Sequence, residues 1–326
     1  MFRSLEKKIK SILLLFIASF LIISFIVIYF IIKNNIFQNI IDFSLQNISQ
    51  RDQNVELYMN YMEETTSLVV MNRQLLHELS TDARSTVIES KLDFWKTTSL
   101  DILGITIYDN YGRIYTTGNE ESPASIDTVY ALAGIEQDAS SSFWIYRKSQ
   151  VNKLSTVPEL TKYGVFSYVS KILDDDGIFL GYILVDTKLQ TIFNYYVADA
   201  GVLFRNTDTY LLTQDNAVIA APYNSQDYEL SPEHMEKLYT GDTYLLVDNK
   251  ERILTISHLK DSGDTILVST PTSFKSQLVL LNASFIGIAT LLIIIAFLGV
   301  NLISDSIITP LTILHNKMNQ EHTGLS

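Results

Sequence analysis

The stretch FSYVSKILDDDGIFLGYILVDTKLQTIF, residues 166–193, decides how this chain is read. Two runs rich in β-branched and aromatic residues flank Asp174-Asp175-Asp176-Gly177, and the second run passes into a segment of mixed polarity. That pattern predicts strand, tight acidic turn, strand and helix. The same order returns at ILTISHLKDSGDTILVSTPTSFKSQL, residues 253–278, where Lys260-Asp261-Ser262-Gly263 is the turn. A hairpin precedes each unit: GITIYDNYGRIYTT (104–117) turns at Asp109-Asn110-Tyr111-Gly112, and TYLLTQDNAVIAA (209–221) turns at Gln214-Asp215-Asn216. The repetition predicts two related α+β modules of unequal size, each an antiparallel sheet with helices packed on it.

Working outward, further strands are expected at 142–148, 163–173 and 178–186. Helices are expected at about 125–132 and at 188–197, with Thr187 as the cap of the second. Gly and Pro are absent before Gly104, so nothing punctuates a helix there. Ile41, Leu45, Ile48, Val55, Tyr58, Met59, Met62, Leu68, Leu75 and Leu79 recur at helical spacings and predict one long amphipathic helix over 33–79. About 45 residues of helix would reach on the order of 65 Å. A second helix is expected over 80–98, with Val87, Ile88, Leu92 and Trp95 along one side.

Two uncharged apolar runs bracket this region. Ser11 to Ile32 is long enough to cross a hydrocarbon core of about 30 Å, and so is Leu278 to Ile303. The first exceeds the apolar stretch of a cleaved signal peptide, and bulky residues precede Lys33 where a cleavage site would need small ones. Arg3, Lys7, Lys8 and Lys10 place the N-terminus in the cytoplasm. Two spans return the C-terminus there and put residues 33–277 outside, which predicts a two-pass protein of the cell membrane in contact with lipid. The outer segment has an excess of Asp and Glu over Lys and Arg, in a chain of net charge −12. That disfavours nucleic acid as a partner. An exported domain without a single Cys must hold together by its core alone, and the lack of disulfides favours a bacterial source.

The order of parts resembles the double Cache (dCache) sensory domain: a long helix, a membrane-distal PAS-like module, then a smaller membrane-proximal one. GYILVDTKLQTIF resembles that family's end-of-module strand and helix. LKDSGDTILVSTP resembles the strand pair before the second span of YesM-type sensor histidine kinases. Residues 304–318, with the Pro310-Leu311 pair, are similar to the opening of a HAMP linker. The resemblance implies an α+β fold with two transmembrane helices flanking a long-helix, tandem PAS-like extracellular domain. Its parts would be a cytoplasmic N-terminus (1–10), a first span (11–32), an outer domain (33–277), a second span (278–303) and the start of HAMP (304–326). Within the outer domain, 33–98 would be a helical stalk, 99–198 the distal module and 199–277 the proximal one.

The function implied is extracellular small-molecule sensing and transmembrane signalling, as the sensor portion of a two-component histidine kinase. A chemotaxis-type receptor, or a membrane protein whose outer domain binds another protein, are the alternatives. A kinase of this type carries a phosphoacceptor helix and an ATP-binding domain after HAMP. The chain is therefore expected to be either a sensor fragment that reaches a response regulator only through a missing kinase module, which is favoured, or a naturally short receptor that signals through something else.

In distal modules of this architecture small ligands sit between the sheet and the loops above it. The matching region here holds Phe143, Trp144, Tyr146, Arg147, Tyr168 and Asp174. Arg147 could pair with a carboxylate through two parallel hydrogen bonds, and Trp144 or Tyr146 could stack on an apolar face. Strand alternation puts Trp144 and Tyr146 on one face and Arg147 on the other. The amino-acid-binding subset has an Arg followed closely by Trp and Tyr, whereas here Trp144 and Tyr146 come before Arg147.

Phe274 begins a helix continuous with the second span, so movement of the proximal module would displace that span. Beyond it, Ile307, Leu311, Leu314 and Met318 form an a/d-like stripe with Pro310 at a bend, which expects a partner helix from a second copy of the chain. The acidic turn at Asp174 lacks the twelve-position calcium loop and reads as a solvated hairpin turn. With no Cys and no HExxH spacing, neither a metal site nor a cofactor is expected. Nor is catalysis, since no nucleophile elbow or metal triad is present.

Overall fold

The structure is a computed structural model. It describes the chain apart from residues 1, 100, 118–121, 137–139, 149–162, 198–206, 216, 225–230, 240–243, 249–251, 272–273, 304–305, 307–309, 311–312 and 315–326. The chain divides into two units, residues 43–272 and the pair of segments 1–42 and 273–326.

Helix α1 runs over Phe2–Val70. It stops earlier than the hydrophobic spacing suggested, because Asn72 is extended and its Oδ1 accepts a hydrogen bond from the N–H of Leu75 at 3.1 Å. That cap starts a new helix, α2 (Arg73–Ser80). The expected helix over 80–98 is also shorter. Ser85 accepts from the N–H of Val87 and caps α3 (Thr86–Thr98), and residues 81–85 are not helical.

The first module, the one expected to be distal and called so below, follows as β1 (Ile102–Asp109), β2 (Ile114–Thr116), α4 (Ile126–Ala133), β3 (Ser142–Arg147), β4 (Val165–Leu173), β5 (Phe179–Lys188) and α5 (Leu189–Val197). The second module, the one expected to be proximal and called so below, repeats the series as β6 (Asp208–Leu212), β7 (Val218–Ala220), α6 (Pro232–Tyr239), β8 (Tyr244–Val247), β9 (Arg252–His258) and β10 (Thr265–Pro271), before α7 (Phe274–Ile303). The sheets have strand orders β2-β1-β5-β4-β3 and β7-β6-β10-β9-β8, both antiparallel, so position for position they are the same sheet. Thr187 does not cap a helix. It lies in β5, and its hydroxyl donates to the carbonyl of Phe166 at 2.6 Å.

One face of the distal sheet packs on the helices before it. Met59 and Met62 of α1, Leu75 and Leu79 of α2 and Ile88 and Leu92 of α3 meet Ile105, Ile107, Phe166, Ile183 and Val185. Each such side chain contributes about 1.5–3 kcal/mol by burial. The opposite face carries Tyr108, Phe143, Ile145, Val169, Tyr182 and Leu184, covered by Val129, Tyr130 and Ala133 of α4. Gly181 is required in β5. At φ +150° its backbone passes so close to Tyr108 that a Cβ would collide with that residue's carbonyl oxygen.

In the other unit, two helices are long and apolar enough to cross a membrane, one at the N-terminus and one over Asn282–Leu302. Phe285 meets Phe25 and Tyr29 edge-on, with ring centroids 5.9 and 5.6 Å apart.

Candidate ligand site on the distal sheet

Strand alternation sorts the residues singled out from sequence. Trp144 and Tyr168 face the helices, where Trp144 stacks on Phe166 (5.0 Å) and lies 5.2 Å from Tyr168. The indole N–H of Trp144 donates to Oε1 of Glu63 on α1 at 2.8 Å. Tyr146 lies on the same side and donates through its hydroxyl to the carbonyl of Tyr163. Asp174 is remote from all of these. Its Oδ1 accepts from the N–H groups of Asp176 and Ile178, which holds the β4–β5 turn closed. Phe274 is the first residue of α7. Pro310 and Leu314 are exposed, and Leu311 and Met318 lie outside the described residues.

Arg147 points to the opposite face. There the structure brings together residues from three neighbouring strands that the sequence reading did not connect. Nη2 of Arg147 lies 2.5 Å from Oδ1 of Asp186 on β5, and Nε donates to the hydroxyl of Ser167 on β4 at 3.0 Å. The Ser167 hydroxyl donates in turn to the same carboxylate oxygen at 2.6 Å. All three are buried, with Asp186 1% exposed and Arg147 6%. A charged residue in the middle of the apolar strand GYILVDTK was the one available indication, since a carboxylate buried in a sheet requires a partner.

The surroundings are aromatic. Tyr130 meets Phe143 and Tyr182 edge-on at 5.0 and 5.5 Å, and Phe179 meets Tyr182 at 4.9 Å. Tyr108 lies beside the pair, its hydroxyl donating to the carbonyl of Pro123 at 2.7 Å. Burial pushes its phenol well above the usual range; the Arg147 charge opposes that shift and the Asp186 charge adds to it. Thr106 bonds Ser122 at 2.5 Å and completes a polar rim. Buried away from solvent, both charges of the internal pair interact more strongly than they would in water.

The proximal module has a related arrangement shifted by one strand. Arg252 on β9 pairs with Asp208 on β6 at 2.5 Å and donates to the hydroxyl of Ser269 on β10 at 2.7 Å. Two five-stranded antiparallel sheets of the same strand order thus follow one another in the chain after a long helix.

No family model matches the chain, and no curated protein matches it in sequence. Solved structures share the fold. The sensory domain of the Campylobacter jejuni chemoreceptor Tlp3 with isoleucine bound is 14% identical with a TM-score of 0.51, covering 73% of this chain and 95% of that one. The same receptor's ligand-binding domain in complex with L-valine is 16% identical, again with a TM-score of 0.51 and the same coverage. The extracellular domain of the putative histidine kinase vpHK1S-Z8 is 11% identical, with a TM-score of 0.50 over 74% of this chain and 96% of that one.

Proposed function

We propose that this chain is the sensing part of a two-pass membrane receptor, with residues 33–277 outside the cell and both ends in the cytoplasm. The observation that carries the reading is a tandem PAS-like fold in a chain that also has an apolar helix of spanning length on either side of it. The basic N-terminal residues support the orientation. The distal module binds a small extracellular molecule on the face that carries Arg147, Ser167 and Asp186, and α4 forms the other wall.

The ligand shifts the receptor between two arrangements by its difference in affinity for them. The change leaves through β10, Phe274 and the second span to Pro310, Leu311, Leu314 and Met318, read as the opening of HAMP in a YesM-type histidine kinase. A chemotaxis-type output is the second reading, favoured by the likeness to Tlp3.

The receptor works as a homodimer. Leu57, Tyr61, Leu68 and Met71 recur at coiled-coil spacing along and just beyond α1 and are 58–74% exposed, a solvent-facing seam suited to the same seam of a second copy.

The test is thermal unfolding of the full chain in lipid nanodiscs against a panel of L-amino acids and small carboxylates. A ligand should raise the melting temperature of the wild type and lose that effect in Arg147→Ala. An Arg147→Ala protein that binds with wild-type affinity rules the residue out.

A further inference from the structure

Strand β3 lies at the edge of the distal sheet, and its hydrogen bonding is uneven by construction. Its register with β4 pairs Phe143 with Val169, Ile145 with Ser167 and Arg147 with Val165. The N–H of Lys171 donates to the carbonyl of Ser141, which fixes 141, 143, 145 and 147 as the residues whose backbone groups face β4. The N–H groups of Trp144 and Tyr146 therefore point off the edge of the sheet. An unpaired strand edge is a liability that folds cover with another element.

Here the cover is a turn of the other module. The N–H of Trp144 donates to the carbonyl of Asp261 at 3.0 Å, and the N–H of Tyr146 donates to Oδ2 of Asp264 at 3.2 Å. Both acceptors belong to the turn between β9 and β10. Asp264 is 3% exposed and ties this turn to a second one, because its Oδ1 accepts from the N–H of Gln214 between β6 and β7 at 3.3 Å. The side chain of Gln214 donates to the carbonyl of Ser262. Asp261 sits at φ +52°, a left-handed conformation that non-glycine residues rarely adopt and that turns its carbonyl toward β3. Next to it, Lys260 donates to Asn60 at 2.7 Å and lies 3.6 Å from the Glu63 carboxylate, the same group that accepts from the Trp144 indole.

One short strand thus carries both functions on alternate residues. Arg147 enters the Ser167–Asp186 cluster on the outer face, and the outward N–H groups of Trp144 and Tyr146 are held by the proximal module. A strand moves as a unit along its length, so a shift at Arg147 is felt at Tyr146, its immediate neighbour. We propose that the β9–β10 turn is a latch on strand β3, closed by the Asp264 carboxylate, through which the proximal module reads the state of the Arg147 site. The proposal rests on the reading of that site as the ligand site. It adds the route, from β3 to Asp261 and Asp264, and from there along β10 to Pro271, the last residue before the segment that leads into α7.

The experiment is hydrogen–deuterium exchange on the full chain in nanodiscs, read at β3 and at residues 259–264. Asp264→Asn keeps the shape and removes the charge, and Asp264→Ala removes the acceptor. Both should raise exchange at Tyr146 by tenfold or more while leaving Ile145 and Arg147, which face β4, near wild-type rates. Arg147→Lys and the milder Ser167→Ala perturb the site and should raise exchange at residues 259–264, across β3 from it. Unchanged exchange at Tyr146 in both Asp264 variants overturns the latch, whatever the receptor binds. If the Asp264 variants free Tyr146 but Arg147→Lys and Ser167→Ala leave the turn at wild-type rates, the contact does not report the site and the proposal fails. The ligand-site reading would stand or fall separately, on the binding panel with Arg147→Ala.

Discussion

The buried pair of Arg147 and Asp186 makes the sharpest prediction. Arg147→Ala leaves the Asp186 carboxylate, 1% exposed, with the Ser167 hydroxyl as its remaining partner in the cluster. Removing one member of a desolvated ion pair costs about 3–5 kcal/mol, because the surviving charge has lost both its counter-charge and its water. For a unit of this size each kcal/mol lowers the melting temperature by about 2–4 °C, so a drop of about 6–20 °C is expected. Replacing both partners with apolar residues of similar volume, Arg147→Met with Asp186→Leu, should recover most of that loss, since no buried charge is then left unpaired. The assay is thermal unfolding of the chain in nanodiscs, followed by tryptophan fluorescence. Trp144 lies three residues from Arg147 on β3, on the opposite face, and stacks on Phe166, so it reports loss of packing in the sheet that carries the site. A single variant that melts within about 2–4 °C of wild type, or a double variant no better than the single, would refute the claim that this pair is desolvated and coupled.

Asp264 predicts a pH dependence. Burial pushes its carboxyl up to about 6; the N–H groups of Tyr146 and Gln214 oppose the shift and Asp215 adds to it. A raised carboxyl favours the proton in the folded state, so its contribution to stability is full below pH 4 and is lost as pH rises through 6. Acidification from pH 7.5 to 5 should therefore stabilise the folded wild type by on the order of 1–3 kcal/mol relative to Asp264→Asn, measured as the difference in melting temperature, even though the protonated carboxyl, like Asn, gives up one of its two acceptor oxygens at the junction. Gly181→Ala should destabilise by more than 1 kcal/mol, since the new methyl group meets the Tyr108 carbonyl; a thermal melt superimposable on wild type would contradict that. Leu57→Glu with Leu68→Glu should shift the receptor toward monomer in membrane crosslinking while leaving the melting temperature of the outer unit within about 2 °C, because both side chains are exposed.

Much of the fold was legible because the relevant patterns are local. The acidic turns at Asp174 and at Lys260–Gly263 lie between strands whose alternation cannot be mistaken for helix, and their repetition predicted two related antiparallel sheets, though not the strand order they share. The breaks at Asn72 and Ser85 were hidden because hydrophobic spacing continues across them, and a single side-chain oxygen decides where each helix begins. Thr187 looked like a cap by residue type, yet β5 extends through it to Lys188. The short strand β8 and its pairing with β9 were missed, since four residues carry too little periodicity.

At the site, alternation correctly separated Arg147 from Trp144 and Tyr146. The partners Ser167 and Asp186 lie 20 and 39 residues away on other strands, and only the register brings them together. The contact of Asp264 with Tyr146 spans 118 residues, beyond the reach of any pattern read along one chain.

The central claim is that the tandem PAS-like domain faces outward from a membrane crossed twice. The chain has no Cys, so single cysteines can be placed without background. Asp175→Cys, in the exposed β4–β5 turn, should react with a membrane-impermeant maleimide on intact cells, and Lys8→Cys should react only after the membrane is opened. Equal labelling of both positions on intact cells, or protection of both, would contradict it.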